Sequence, residues 1–217
     1  MSSSVKLVLD KARALEGLRV VDLARRVGTD TPRGGLHGKG RLGEFIERAL
    51  GATGGSGRRI VDFPEIGLEL KTIPVGPDGS PQESTFVCGV DLAEDVDWDQ
   101  SWAFQKLRRV LFLPLIGERR CAAGSRVLGQ CVLFEPTAEE DATLRSDYDE
   151  VMGLVGIGRI EEVTAHLGTY LQLRPKAKDG HARTVSHGPD GEAIPTVPRG
   201  FYLRTQFTAH VLRSRCR

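Results

Sequence analysis

Long apolar runs are missing from this 217-residue chain. No segment approaches the ~20 consecutive apolar residues that a helix needs to cross a bilayer. The opening residues, MSSSVKLVLDKAR, also lack the long apolar stretch and small-residue cleavage site of a secretory signal peptide. The sequence therefore predicts a cytoplasmic protein with no membrane partner.

Cysteine is scarce and unpatterned. The chain has four cysteines and five histidines, with no C-x-x-C pair and no zinc-ligand spacing between the two residue types. This spacing favours reduced structural thiols over a disulfide framework or a metal knuckle. The cysteines are Cys88, Cys121, Cys131 and Cys216.

Net charge is also small, at +1, but the charges are unevenly distributed. Nine acidic residues lie between positions 135 and 162, against two arginines, whereas nine basic residues lie between 170 and 217, against three acids. A basic lobe could grip a polyanion while the rest of the surface repels it. Two ordinary solvated faces would account for the same distribution.

Hydrophobic periodicity predicts an α/β domain. Helical spacing or helix signals occur over residues 4–15, 20–27, 41–50, 101–107, 137–154 and 158–166. Strand patterns occur over 61–75 and 85–90, which we expect to form a hairpin, and in RVLFLPL, RVLGQCVLF, TYLQLRPK and RGFYLR. We expect the loop 177–197, rich in glycine and proline, to be disordered without a ligand. Length and composition indicate one domain over residues 1–217, in two lobes.

The segment VDFPEIGLELKTIPV contains the clearest candidate for chemistry. Alternation along a strand places Glu69 and Lys71 on one face, while Leu68 and Leu70 face a core. Asp62 precedes a turn containing Pro64 and Gly67, so its carboxylate could reach Glu69. Two carboxylates beside an amine suit Mg²⁺-dependent phosphodiester chemistry. The pattern is short, however, and a surface ion pair on a solvated sheet would produce it equally well.

Five longer motifs resemble the MutH family of DNA-nicking endonucleases in methyl-directed mismatch repair. They are DFPEIGLELKTIPV, ESTFVC, KLRRVLFLP, YLQLRPKA and VPRGFYLR, in family order between Leu9 and Val211. The resemblance implies a restriction-endonuclease-like fold, with a mixed sheet flanked by helices and two lobes forming a DNA-binding cleft. It also implies a monomer that requires Mg²⁺ and nicks the unmethylated strand of hemimethylated GATC. The implied partners are double-stranded DNA, MutL, and MutS through MutL.

The resemblance also assigns roles to individual residues. Asp62 and Glu69 match metal-binding acids, the Leu70 carbonyl is a further ligand, and Lys71 matches the catalytic lysine. Glu47 matches another acid at the metal, although an acid at the edge of an amphipathic helix is usually solvated. The residues that match DNA-binding positions are Arg174, Lys176, Tyr202, Phe86 and Lys39.

The chemistry of these residue types agrees with those roles. Arginine is the commonest bidentate reader of guanine, and the ring of Tyr202 could contact a methyl group in the major groove. Phe86 could equally be a core residue of a strand. The chain departs from the family in its basic tail, VLRSRCR, in a valine that replaces a leucine before PRGFYL, and in the poorly matching loop 177–197.

We therefore expect hydrolysis of one DNA strand to leave 5′-phosphate and 3′-hydroxyl ends. One alternative is a GATC-specific restriction-type endonuclease that cuts both strands as a dimer. The other is a catalytically silent DNA-binding module. An intact set of Asp62, Glu69 and Lys71 argues against the silent module, because clustered like charges are costly to keep without a function.

Overall fold

The structure, a computed structural model, describes residues 3–31, 38–54, 59–93, 96–176 and 182–215. Its contacts divide the chain into two compact units. The first contains the described residues of Met1–Glu83, Arg108–Glu135 and Ala209–Arg217, and the second those of Ser84–Leu107 and Pro136–Thr208. The boundary crosses the last helix.

The first unit packs three helices against a four-stranded mixed sheet. Its helices are α1 (Ser3–Arg13), α2 (Val20–Arg26) and α3 (Gly38–Leu50), and its strands are β1 (Glu69–Val75), β3 (Val110–Ile116), β4 (Val127–Leu128) and β5 (Val132–Phe134). β1 pairs in parallel with β3, and both β4 and β5 pair antiparallel with β3. The predicted segment RVLGQCVLF is therefore two short strands rather than one.

The expected hairpin between residues 61–75 and 85–90 is wrong. Residues before Glu69 form a turn, and β1 pairs with β3 in a register that places Lys71 opposite Phe112. β2 (Thr85–Gly89) belongs to the second unit and pairs with β9 (Arg199–Leu203). Parallel strands are usually covered on both faces, and β1 accordingly has no fully exposed residue.

The second unit is built on a three-stranded antiparallel sheet in the order β2-β9-β6. Its helices are α4 (Trp102–Leu107) and α5 (Ala138–Gly156), and its remaining strands are β6 (Leu171–Pro175), β7 (Thr184–His187), β8 (Ala193–Thr196) and β9 (Arg199–Leu203). On one sheet face Leu171, Leu173, Phe201 and Leu203 are buried. Tyr148 of α5 covers this face, with its ring centroid 5.2 Å from that of Phe201.

Helix α5 begins at the capping box that the sequence predicts. Thr137 Oγ1 accepts from the Glu140 amide at 3.2 Å, and the Glu140 carboxylate accepts from the Thr137 amide at 2.7 Å. Further along the helix, the buried carboxylate of Asp147 accepts hydrogen bonds from three successive amides, those of Thr169, Tyr170 and Leu171, at 2.6–2.8 Å. Asp147 thereby fixes the start of β6.

Three other predictions need correction. Residues 158–166 contain only the 3₁₀ turn Ile160–Glu162 instead of a helix. The loop 177–197 contains the β7–β8 hairpin, and its residues 177–181 lie outside the described residues. The basic tail forms helix α6 (Thr205–Arg215), which the sequence analysis missed.

Three of the four cysteines lie among the described residues. Cys88 is buried, Cys121 and Cys131 are partly buried, and Cys216 lies outside the described residues. Over the described ranges, no helix is both long and apolar enough to cross a membrane.

Candidate active site

Glu69 and Lys71 lie at the beginning of β1. Lys71 Nζ donates to Glu69 Oε1 at 2.7 Å. Glu69 is 1% exposed and the Lys71 side chain is partly buried, so the surface ion pair that the sequence left open is excluded. Burying a carboxylate is costly unless charged and hydrogen-bonded neighbours compensate, so this pair is a weak source of stability.

Asp62 reaches the same strand through a compact turn. Phe63 and Leu68 exchange backbone hydrogen bonds at 2.9 and 3.2 Å, closing a hairpin around the 3₁₀ turn Pro64–Ile66. Gly67 ends that turn with φ +59°, a left-handed conformation that favours glycine. Across the closed hairpin, Asp62 Oδ2 accepts from the Leu70 amide at 2.8 Å. This fixes the Asp62 carboxylate beside the strand that carries Glu69.

The backbone of Asp62 is also hydrogen-bonded to the segment that follows α3. Its carbonyl accepts from the amides of Thr53 and Gly54 at 3.1 and 2.9 Å. Gly54 has no room for a side chain, because a Cβ atom there would lie 2.1 Å from the Val61 carbonyl oxygen. The end of α3 and the acid-bearing turn are therefore locked together.

Helix α3 brings Glu47 to the site. Leu42, Phe45, Ile46 and Leu50 are buried, which sets the inward face of the helix. Gly43 faces β1 closely: a Cβ atom there would lie 3.6 Å from Glu47 Oε1 and 3.8 Å from Thr72 Oγ1. These are ordinary van der Waals distances, and they place the Glu47 carboxylate and the Thr72 hydroxyl of β1 next to Gly43.

The surroundings of Glu47 weaken the acidity of its carboxyl group. Burial, followed by the negative charges of Asp62 and Glu69, raises the pKa of Glu47 to about 7, and Lys71 offsets part of that rise. Three carboxylates thus share one ammonium group. A bound cation would relieve their repulsion.

The donor set fits a hard divalent cation such as Mg²⁺. All available donors are oxygens: two or three carboxylates and the backbone carbonyl of Leu70. Within the described ranges, no three acidic, histidine or cysteine side chains form a ready-made cage. Mg²⁺ does not need one, because it typically keeps several waters and binds one or two carboxylates together with a substrate phosphate.

A second cluster lies on the outer face of the β2-β9-β6 sheet. The register places Phe86 opposite Tyr202, with ring centroids 5.2 Å apart in an edge-to-face arrangement. Gly200 makes this possible, because a Cβ atom there would lie 2.8 Å from both the Phe86 ring and the Cys88 carbonyl oxygen. Phe86 is only partly buried, so it is not a core residue.

Two cationic side chains lie over these rings: Arg174 of β6, and Lys176, which directly follows the strand. The Arg174 guanidinium carbon is 5.8 Å from the Tyr202 ring centroid, and Lys176 Nζ is 3.1 Å from that of Phe86. Arg174 Nη1 also donates to Ser84 Oγ at 2.8 Å. The face therefore presents two exposed positive charges over two partly buried aromatic rings.

The chain is similar to known proteins over nearly its whole length. Residues 50–147 match the family model described as DNA mismatch repair enzyme MutH. The DNA mismatch repair protein MutH of Vibrio cholerae serotype O1 (strain O395) is 43% identical over 208 residues, covering 95% of this chain and 94% of that protein. The corresponding Shewanella oneidensis protein is 42% identical over 207 residues, covering 94% and 92%. The chain belongs to the MutH family of DNA mismatch repair endonucleases.

In this MutH family member, most of the residues with predicted functions lie in two clusters. Asp62, Glu69, Lys71 and Glu47 converge in the first unit, whereas Phe86, Arg174, Lys176 and Tyr202 converge in the second. The backbone of Lys39 lies in the first turn of α3, but its side chain falls outside the described residues.

Gln172 lies in the second cluster but was not predicted from the sequence. The register places Gln172 opposite Tyr202, on the face of β6 that carries Arg174. It is 6% exposed, which is unusual for a glutamine next to an exposed arginine. Its position two residues before Arg174 in a strand was the available signal.

Proposed function

We propose that the chain is a Mg²⁺-dependent DNA endonuclease that nicks the unmethylated strand of hemimethylated GATC. The observation that supports this most strongly is the cluster of Asp62, Glu69 and Lys71 at the start of β1. Family membership supplies the reaction class, and the cluster supplies the groups that phosphodiester hydrolysis requires.

Asp62, Glu69 and the Leu70 carbonyl would hold the metal, with Glu47 as a further ligand once it has lost its proton. When bound, Mg²⁺ would act as a Lewis acid toward the scissile phosphate and lower the pKa of water. The tight hydrogen bond from the Leu70 amide to Asp62 keeps that carboxylate in place. The turn around residues 63–68 then sets its separation from Glu69.

Lys71 orients the attacking water and stabilises the negative charge that develops on the phosphoryl oxygens. Its hydrogen bond to Glu69 holds Nζ at the edge of the acid cluster. The attacking water gives up a proton to solvent as its oxygen bonds to phosphorus, the bond from phosphorus to the 3′ oxygen breaks, and that oxygen takes up a proton from solvent. The products are a 5′-phosphate and a 3′-hydroxyl.

The cationic face of the second unit would recognise the DNA. Arg174 suits guanine because a guanidinium can donate to O6 and N7 together. Tyr202, next to it, would sense the methyl group on adenine, and Lys176 and Phe86 would complete the surface. We include Lys39 as a further DNA contact from its family match alone.

The partners we propose are MutL, and MutS through MutL, with the chain acting as a monomer. The described residues contain one acid cluster of this kind, which supports cleavage of one strand per binding event. A restriction-type enzyme would need a second copy for the other strand.

The test uses purified chain with Mg²⁺ on matched unmethylated, hemimethylated and fully methylated GATC duplexes, each strand carrying its own label. We expect cleavage of unmethylated strands only, and open-circle rather than linear product from a plasmid with one hemimethylated site. Lys71→Ala is the matched inactive control. Cleavage of methylated strands at the same rate, or linear product from the first encounter, would refute the proposal.

A further inference from the structure

Arg109 contacts the turn that carries the two acids at two points, the tip and the end at Glu69. Its backbone carbonyl accepts from the Glu69 amide at 3.0 Å. Its guanidinium Nη1 donates to the Ile66 carbonyl, at the tip of the turn, at 2.7 Å. One residue at the entrance to β3 thus holds both the strand that presents Glu69 and the loop that connects it to Asp62.

The turn needs such a restraint. Its internal hydrogen bonds join Phe63 to Leu68, close the 3₁₀ turn from Phe63 to Gly67, and leave the Ile66 carbonyl pointing outward to Arg109. Short turns fluctuate unless other elements fix them, and an error of 1 Å in the position of a catalytic group can cost about 10²-fold in rate. The guanidinium is therefore placed where it controls the separation of the two carboxylates.

Glu135 orients the guanidinium. It follows β5, and its Oε1 accepts from Arg109 Nε at 2.6 Å. Both side chains are partly solvent-exposed, so the ion pair itself adds little stability. Its geometric effect is larger, because a planar guanidinium fixed at Nε directs Nη1 toward one acceptor, here the Ile66 carbonyl.

We propose that Arg109, oriented by Glu135, is a positioning residue that sets the geometry of the Asp62–Glu69 pair and thereby its affinity for Mg²⁺. The inference rests on the proposed function, in which those two acids hold the metal. Arg109 itself touches neither side chain of the pair. Groups that orient metal ligands typically contribute 10- to 100-fold to affinity or activity.

Arg126 provides a matched control in the same unit. Its guanidinium also binds backbone carbonyls, those of Leu115 and Glu118 at 3.0 and 3.2 Å, but around the far end of β3. Arg126 is buried and also donates to Gln82 Oε1 at 3.2 Å, so Arg126→Ala should cost at least as much general stability as Arg109→Ala without removing a contact of the acid-bearing turn. A loss of general stability affects both variants, whereas a loss of site geometry affects only Arg109→Ala.

The experiment compares wild type, Arg109→Ala, Arg109→Lys, Glu135→Gln and Arg126→Ala. For each protein, hydrogen exchange measures protection of the Leu70 amide without metal, and calorimetry measures Mg²⁺ affinity in the presence of GATC duplex. We expect Arg109→Ala to lose at least 10-fold in both relative to Arg126→Ala, Arg109→Lys and Glu135→Gln to lose less, and Arg126→Ala to keep the Mg²⁺ affinity of wild type.

Equal Leu70 protection and equal Mg²⁺ affinity in Arg109→Ala and Arg126→Ala would overturn the positioning role. If Arg109→Ala does not fold, the same comparison with Arg109→Lys and Glu135→Gln decides it. The exchange measurement also separates the two proposals. Wild-type protein that neither binds Mg²⁺ nor nicks DNA refutes the proposed function, while selective loss of Leu70 protection in the Arg109 variants still supports the restraint.

Discussion

Replacing Glu47 with glutamine should make the metal-free protein more stable at alkaline pH. The folded state raises the pKa of this carboxyl from 4.5 to about 7, first through burial and then through Asp62 and Glu69. Between these two values the folded protein keeps a proton that the unfolded chain releases, so stability falls as the pH rises through this window. Glutamine remains neutral and avoids that loss.

The magnitude follows from the two pKa values. The full difference corresponds to about 3 kcal/mol above pH 7. Glu47 is only half-buried and solvent screens its charge, so we expect about 1–2 kcal/mol. For a chain of this size, that is a rise of about 2–8 °C in melting temperature at pH 8.5, with little change at pH 4.5.

The assay is urea or thermal unfolding with a chelator at pH 4.5 and 8.5, repeated with Mg²⁺ at pH 8.5. Magnesium should stabilise wild type more than Glu47→Gln, because ligand binding to the folded state adds to its stability. Glu44→Gln, on the exposed face of the same helix, should change stability by less than about 0.5 kcal/mol. If Glu47→Gln is no more stable than wild type at pH 8.5, the acids do not repel each other as argued.

Three further variants test the two clusters. Lys71→Ala should bind DNA normally but lose about 10²-fold or more in single-turnover nicking rate, because the lysine acts on the transition state; a near wild-type rate would refute its role. Arg174→Ala should lose about 1–3 kcal/mol of discrimination between GATC and one-base variants, whereas an equal drop on every sequence, with a flatter salt dependence, would indicate a phosphate contact. Tyr202→Ser should still cut GATC but change its preference among unmethylated, hemimethylated and fully methylated duplexes; an unchanged preference would exclude it as the methyl sensor.

Local patterns in the sequence predicted most of the elements. The helix over residues 41–50, the capping box of Thr137 and Glu140, and the strand from Glu69 all depend on near neighbours, and the structure confirms them. The β7–β8 hairpin had a local signal as well, since Gly191 in PDGE adopts the positive φ of its turn. The composition of the surrounding loop obscured it.

The errors arose where distant parts of the chain decide the outcome. A hairpin between β1 and β2 was expected because the two strands are close in sequence, but β1 instead pairs with the more distant β3, for example Glu69 with Val110. Helix α6 buries Phe207, Val211 and Leu212 among polar and basic neighbours that weaken its periodicity. The roles of Asp147 and Arg109 depend on contacts 22 to 43 residues away, which single-sequence patterns do not contain.

The net charge is close to zero, but acidic and basic side chains are concentrated in different parts of the chain, and this separation affects the mechanism. Around Lys71 the first unit collects three carboxylates, whereas the outer sheet face of the second unit presents Arg174 and Lys176 over aromatic rings. The cationic face can attract phosphates before any metal arrives, but the acid cluster repels them until a cation offsets its charge. DNA binding and cleavage should therefore respond differently to ions: monovalent salt weakens the first by screening, while the second depends on the divalent cation. Under the proposed mechanism, a chain with this division would associate with DNA without cutting it, and cleavage would then depend on the geometry of the Asp62–Glu69 pair.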